Sequence, residues 1–183
     1  IIMEKEDLRV KKTKRSIEES FMTLFYHYNF EQITVKGITE EAEIGRKTFY
    51  LHYLDKYDLV DSIVKKAFTE LEVICERKKG LGLKKGSEIW FDYFNEHRLF
   101  FERLFKIPNS NSYKKQLKEL VINQLKENID QKLIEDQQLD FQLFLRFFAS
   151  GIIEFIEIYI SDNTYTKEDF VKQIIPLLKG IYK

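Results

Sequence analysis

The chain has 183 residues, enough for one or two domains whose core needs no disulfide or metal staple. Two prolines and seven glycines, with 44% hydrophobic and 33% charged residues, favour a helical globular protein and exclude a collagenous or disordered one. Lys+Arg and Asp+Glu both number 30, so any affinity for nucleic acid must come from a local cluster. The single cysteine, Cys75, excludes an internal disulfide framework and a cysteine-rich zinc site. Ile1 to Met3 are followed at once by Glu4, Lys5 and Glu6, which is no signal-peptide pattern, and the isoleucine at position 1 points to a trimmed or altered start. The most apolar run, Phe141 to Ile160, is broken by Arg146, Glu154 and Glu157 and reads as a core or interface helix rather than a membrane span. A cytoplasmic protein is expected.

Ile17, Phe21, Leu24, Phe25 and Tyr28 recur at the spacing of one amphipathic helix. The basic run Lys11, Lys12, Lys14 and Arg15 is expected at its start and in an arm before it. Thr34 is a good N-cap for a second helix that turns Val35, Ile38 and Ala42 inward. Gly45 opens a third, short helix with Phe49 and Tyr53 inward. Asp55, with Asp58 three residues on, suits the start of a fourth helix running to about Lys79.

The glycines of KKGLGLKKG, Gly80, Gly82 and Gly86, then predict a helix–helix linker. A phosphate loop would need a preceding strand and a Gly-Lys-Ser/Thr ending, and the order here is Lys85-Gly86-Ser87. Glu88 to Phe105 is dense in aromatics, with a break expected at Asn95 to His97. Tyr113 to about Leu133 predicts one polar-faced helix with Leu117, Leu120, Val121, Leu125 and Ile129 inward. Phe141 to Ile160 is the long apolar helix, and Thr166 with Asp169 forms a capping-box pattern before the last one, which contains Pro176. No strand pattern and no repeat appears. The fold class expected is all-α.

Function concentrates in TVKGITEEAEIGRKTFYLHYLDKYDL, Thr34 to Leu59. Two short helical patterns flank a tight turn, as in a helix-turn-helix, whose second helix enters the major groove with its N-terminal residues at base edges. Arg46 and Lys47 fall in that first turn, and an arginine fork matches guanine O6 and N7. Thr48, Tyr50 and His52 offer donors to phosphate oxygens. Thr34 places the opening backbone amides of the second helix beside a phosphate, and Gly45, at the start of the third helix, counts among the DNA-binding positions. Lys56 is a further phosphate candidate, and Leu51 is placed to meet a thymine methyl. The competing reading makes Arg46 and Lys47 ordinary solvated charges and Tyr50 a cap on the small core. Phe49 and Tyr53, at i and i+4, account for that core better.

Ile33-Thr34-Val35, Ile38, Glu41-Ala42, Ile44, Arg46, Thr48-Phe49-Tyr50, His52-Tyr53, Lys56 and Leu59 together resemble the N-terminal domain of the TetR family of bacterial regulators. The resemblance spans roughly Ser16 to Val64. It implies an all-helical homodimer on double-stranded operator DNA, with a helix-turn-helix head at residues 1–54 and a larger helical ligand-binding and dimerisation domain at 55–183. Thr34, Arg46, Lys47, Thr48, Tyr50, His52 and Lys56 match the family's DNA contacts. Three positions depart from the pattern: Glu43 stands at the frequent turn glycine, Gly45 where Ser or Thr is common, and Gly37 where an acidic residue is frequent.

The C-terminal part resembles the family in architecture. Its last two helices are the expected dimer surface, with Phe148, Ser150, Gly151, Ile152, Phe155, Tyr159, Ile174 and Leu178 on it. Trp90, Phe94, Phe101, Phe105 and Phe144 are the candidates for a pocket that takes an apolar or aromatic effector, and burial in the core is the competing reading for each. His27, His52 and His97 share no metal-ligand spacing, and no nucleophile elbow, H-E-x-x-H or dinucleotide fingerprint is present. No enzyme activity, cofactor or metal is expected. The readings that follow are a ligand-released repressor and, as the alternative, a coactivator of the same fold that works through a protein partner without touching DNA.

Overall fold

A computed structural model describes residues 2–77 and 79–182, with side chains from residue 8 onward. The architecture is all-α: α1 (Ile2–His27), α2 (Val35–Glu41), α3 (Arg46–Tyr50), α4 (Lys56–Arg77), α5 (Gly82–Glu96), α6 (Arg98–Leu104), α7 (Ser110–Asn128), α8 (Gln131–Glu135), α9 (Phe141–Ser161) and α10 (Lys167–Leu178). Among the described residues no strand forms, and an isolated antiparallel bridge joins Ile129 to Tyr182. No described helix is long and apolar enough to cross a membrane. The chain divides within α4 into two compact units, Ile1–Ala67 and Phe68–Lys183.

In the first unit the apolar stripe of α1 buries Ile17, Phe21 and Phe25, joined by Phe30, Ile38, Phe49, Leu59 and Val64. Phe21 stacks on Phe25 with ring centroids 5.2 Å apart, and Phe49 meets Tyr53 at 5.8 Å. The Tyr53 hydroxyl donates to Glu18 at 2.8 Å, and burial together with that carboxylate raises its pKa. Lys66 closes the same carboxylate with a 2.6 Å bond. The basic run expected at a helix start lies well inside α1, because the helical backbone already begins at Ile2.

In the second unit α9 lies against α5, α6, α7 and α8, while α10 packs on α5. Phe91 is the meeting point, with rings 5.0 Å from Tyr159 and 5.5 Å from Phe170. Two expectations need correction here. The glycine linker is shorter than its sequence suggests: Gly80 and Gly82 take positive φ, but Gly86 lies buried inside α5. The single helix expected from Tyr113 to Leu133 is two, because Ile129 turns extended to pair with the chain end and Asp130 caps α8 by accepting from the Lys132 amide at 3.0 Å. The break at His97 and the Thr166–Asp169 capping box appear where the sequence places them. Pro176 sits within the last turn of α10, where the missing N–H removes a single helical bond.

Candidate nucleic-acid interface and effector cavity

The head builds its presenting surface from local chemistry. Thr34 caps α2, its hydroxyl accepting from the Gly37 amide at 3.1 Å. The helix then ends in a Schellman turn: the Ile44 amide donates to the Thr39 carbonyl at 3.0 Å and the Glu43 amide to Glu40 at 3.2 Å. That turn demands a left-handed residue, and Glu43 supplies it with φ 52° where glycine carries no steric cost. Gly45 is the N-cap of α3, its carbonyl accepting from the Thr48 amide at 2.9 Å.

Over the five residues of α3 the 3.6-residue period sorts the side chains. Phe49 turns fully inward, and Tyr53 follows it four residues on. Arg46, Lys47, Tyr50 and Leu51 are exposed, Tyr50 at 56% and Leu51 at 73%, while Thr48 and His52 are half-buried. Neither Arg46 nor Lys47 forms a hydrogen bond or ion pair with a described residue. Gly45, Arg46, Lys47, Thr48, Tyr50, Leu51 and His52 thus lie together on and beside α3, while Thr34 stands exposed at the start of α2. Sequence reading missed Leu54, which is 81% exposed beside the same turn. Its signal was an apolar residue directly before the Asp55 cap.

Lys56 is placed differently from the expectation. Its ammonium donates to the backbone carbonyls of Phe30 at 2.7 Å, Ile33 at 2.8 Å and Glu31 at 3.4 Å, around the 3-10 turn Phe30–Gln32. It also sits 4.4 Å from the centroid of the Phe30 ring. All three N–H donors point into the protein, and burial lowers the pKa from the usual lysine value. This is an internal pin on the loop before Thr34, not a cation held out for a phosphate.

In the second unit a cavity of about 80 Å³ opens between α5, α7, α9 and α10. Trp90 and Phe94 line it. The other three aromatics expected there do not. Phe101 is buried behind Phe94, 4.8 Å between centroids, Phe105 lies under the Lys114 ammonium at 5.4 Å, and Phe144 pairs with Phe148 at 4.4 Å. The polar lining was missed: Ser87, Gln124, Asn128 and Tyr182. Two of these carried a signal, since Gln124 and Asn128 interrupt the row Leu117, Val121, Leu125 on the inward side of α7.

The expected dimer surface divides in two. Ser150 and Gly151 are exposed, and Phe148, Ile152 and Phe155 are half-buried. Tyr159 of α9 is buried against Phe91 and Phe170, and Ile174 and Leu178 are buried because α10 packs on α5 and turns their row inward. In their place Leu143 and Phe147 stand out from α9 at 68% and 75% exposure, and Leu177 is exposed on α10. A Cβ added at Gly151 meets nothing within 4 Å, so nothing inside the chain requires that glycine.

A short helix with free cations, presented by a small three-helix core and followed by a larger helical unit, defines the class of helix-turn-helix transcriptional regulators. The family described as the C-terminal region of TetR-type transcriptional regulators matches residues 83–180, and the chain belongs to the TetR family. The activator of the dhaKLM operon, DhaS, from Lactococcus lactis is 28% identical over 98 residues, covering 54% of this chain and 51% of that protein. The chain thus spans about half the length of that curated relative. A solved structure of DhaS, the dihydroxyacetone kinase operon activator, superposes with a TM-score of 0.65 at 24% identity, covering 91% of this chain and 93% of that one. A TetR regulator from Streptococcus agalactiae superposes with a TM-score of 0.73 at 21% identity, covering 94% and 97%. At these identities the two structures speak for the fold alone.

Proposed function

We propose that this chain is a sequence-specific DNA-binding regulator that acts as a homodimer and leaves its operator when a small molecule occupies the second unit. The observation that carries the reading is α3: Phe49 and Tyr53 anchor one side, Arg46 and Lys47 face outward with no hydrogen bond or ion pair among the described residues, and Tyr50 is exposed with its ring edge-on to Phe49 at 5.5 Å. Arg46 reads a base edge, Lys47, Thr48, Tyr50 and His52 grip phosphates, and Leu51 meets a thymine methyl. The amides at the starts of α2 and α3, after Thr34 and Gly45, face the backbone. Lys56 orders the loop that sets the angle of α2. In functional terms residues 1–54 form the head and 55–183 the sensing and dimerising part.

The dimer forms through α9 and α10. Leu143, Phe147, Phe148, Phe155 and Leu177 supply an apolar patch, and Gly151 allows close approach of a second copy. Two helices from each copy make a four-helix bundle. Two heads then meet successive major grooves about 34 Å apart on one DNA face. Ligand acts by population shift, favouring a state in which that spacing is lost.

Release of a repressor is the sign adopted. The name of DhaS as an activator supports the opposite sign with the same contacts. A second reading, a coactivator that works through a protein, draws on the exposed Leu51 and Leu54 pair. Fluorescence anisotropy on the chain's own upstream DNA at two salt concentrations decides between them. Specific binding that weakens steeply with salt, and falls in Arg46→Ala and Tyr50→Phe, supports the DNA reading. No specific complex in any of the three proteins overturns it, and a reporter driven by the bound promoter gives the sign.

A further inference from the structure

The cavity in the second unit has a property that its size and shape alone do not convey: none of its lining side chains carries a formal charge. Its walls are Leu, Ile, Val, Trp and Phe side chains, and its polarity comes from Ser87, Gln124, Asn128 and Tyr182. Two of the available groups are already committed. The Trp90 indole N–H donates to the Cys75 sulfur at 3.2 Å, so the ring turns only carbon toward the space. The Asn128 amide nitrogen donates to the Gln124 carbonyl at 2.7 Å. The Ser87 hydroxyl, the Gln124 side-chain amide and the Tyr182 hydroxyl have no hydrogen-bond partner among the described residues. Burial raises the pKa of Tyr182, so its hydroxyl stays neutral and able to donate.

We propose that this cavity is the effector site and that it takes a small uncharged molecule, an apolar body of a few carbons carrying one hydroxyl, carbonyl or amide turned to Ser87, Gln124 and Tyr182. This rests on the ligand-responsive reading above and narrows it to a chemical class. A carboxylate or an ammonium entering here leaves water with no counter-ion to meet it, and an unpaired buried charge is strongly disfavoured. A neutral donor–acceptor head finds one hydroxyl on α5, an amide on α7 and a phenol at the chain end. The volume sets the body: an apolar cavity of roughly 150 Å³ holds benzene, and about 80 Å³ suits three or four carbons.

The test uses Trp90, the sole tryptophan, as its own reporter. The full chain is titrated with 1-butanol, butanamide, butanoate and butylamine while Trp90 emission is followed. The neutral pair is expected to give saturable changes in the millimolar range, with butanoate and butylamine at least tenfold weaker. Gln124→Leu, close in volume and without the amide, should weaken butanamide at least fivefold at unchanged helix content. Ser87→Leu should block all probes by filling the polar end. If Ser87→Leu fails to fold, the probe series and Gln124→Leu still decide.

Butanoate or butylamine binding as tightly as butanol overturns the proposal, as does the absence of saturation with both neutral probes. The DNA-release reading fails separately: neutral probes that saturate Trp90 without loosening the operator complex leave the site standing and remove the release. An effector that loosens the operator complex while leaving Trp90 silent does the reverse.

Discussion

Replacing Lys56 by methionine keeps the apolar stem and removes the three donors that close the Phe30–Ile33 loop. The cost is worked from the acceptors rather than from the charge, since desolvation already lowers the pKa of this lysine and offsets much of its own attraction. The Phe30 carbonyl still accepts from the Ile33 amide at 3.2 Å, so of the two short-bonded acceptors only the Ile33 carbonyl is left without a donor, which costs about 1–3 kcal/mol where the group is buried. Two of the three bonds are short, the third is long, and the site is partly open to water. The net loss is therefore about 1–2 kcal/mol. In urea, followed by circular dichroism, that lowers the midpoint by roughly 0.5–1 M at ordinary m-values.

DNA binding of the same variant separates two roles. A phosphate contact contributes about 0.9 to the slope of log affinity against log salt, and a pin inside the head contributes nothing to it. Lys56→Met should bind operator more weakly at an unchanged slope. Lys56→Arg should not rescue, because a planar fork cannot serve three carbonyls converging on one ammonium. Unchanged urea stability, with a slope reduced by about 0.9 and restored in Lys56→Arg, would refute the pin.

Arg46→Ala should weaken operator binding by about 1–3 kcal/mol and relax the base preference at one position, and equal losses on operator and random DNA in anisotropy would contradict base reading. Phe147→Glu should convert the proposed dimer to monomer in sedimentation velocity while leaving helix content intact, since the ring is 75% exposed in the single chain; a dimer that persists moves the interface elsewhere. The Asp169 carboxylate is held below its usual range by the amide and hydroxyl of Thr166. Its capping contribution is therefore complete above the unfolded carboxylate pKa and lost as pH falls through the lowered folded value. Asp169→Asn should remove that acid-side step from the helix signal, and an identical acid profile in both proteins would count against the cap.

The head was legible because its signals are local. Thr34, Gly45 and Asp55 mark helix starts through side-chain or backbone chemistry within three residues, and the Phe49–Tyr53 pair fixes which row of α3 is inward. The place of Lys56 is not legible for the opposite reason: its partners lie 23 to 26 residues away, and sequence shows a cation without showing what it reaches. Gly86 reads as linker in the sequence because glycine disfavours helices, and packing around a buried position overrides that preference. The aromatic cluster was legible as a core but not as a cavity. Phe101 and Phe105 share their helical stretch with Leu104, yet only α5 turns its Trp90 and Phe94 toward the open space. Ile174 and Leu178 show the same limit, since an apolar row on a last helix serves a dimer or a core equally until its neighbour is known.

Glu43 holds two effects that one substitution would confound. Its φ of 52° sits at the left-handed position of the Schellman turn, where a side chain costs about 1–2 kcal/mol relative to glycine. Glycine in turn loses about 0.4–1 kcal/mol through the greater freedom of the unfolded chain. Glu43→Gly should therefore stabilise the head by roughly 0.5–1 kcal/mol. The carboxylate also stands three residues before Arg46, at the end of the head proposed to meet phosphates, and in a chain with balanced charge no wider field masks it. Glu43→Gln keeps the strained backbone and removes only the charge. Binding that tightens on operator and random DNA alike in both variants, with urea stability rising only in Glu43→Gly, assigns the backbone effect to the turn and the charge effect to the phosphates. Stability that falls in Glu43→Gly would mean the turn is held by contacts of the Glu43 side chain and not by its backbone bonds to Thr39 and Glu40.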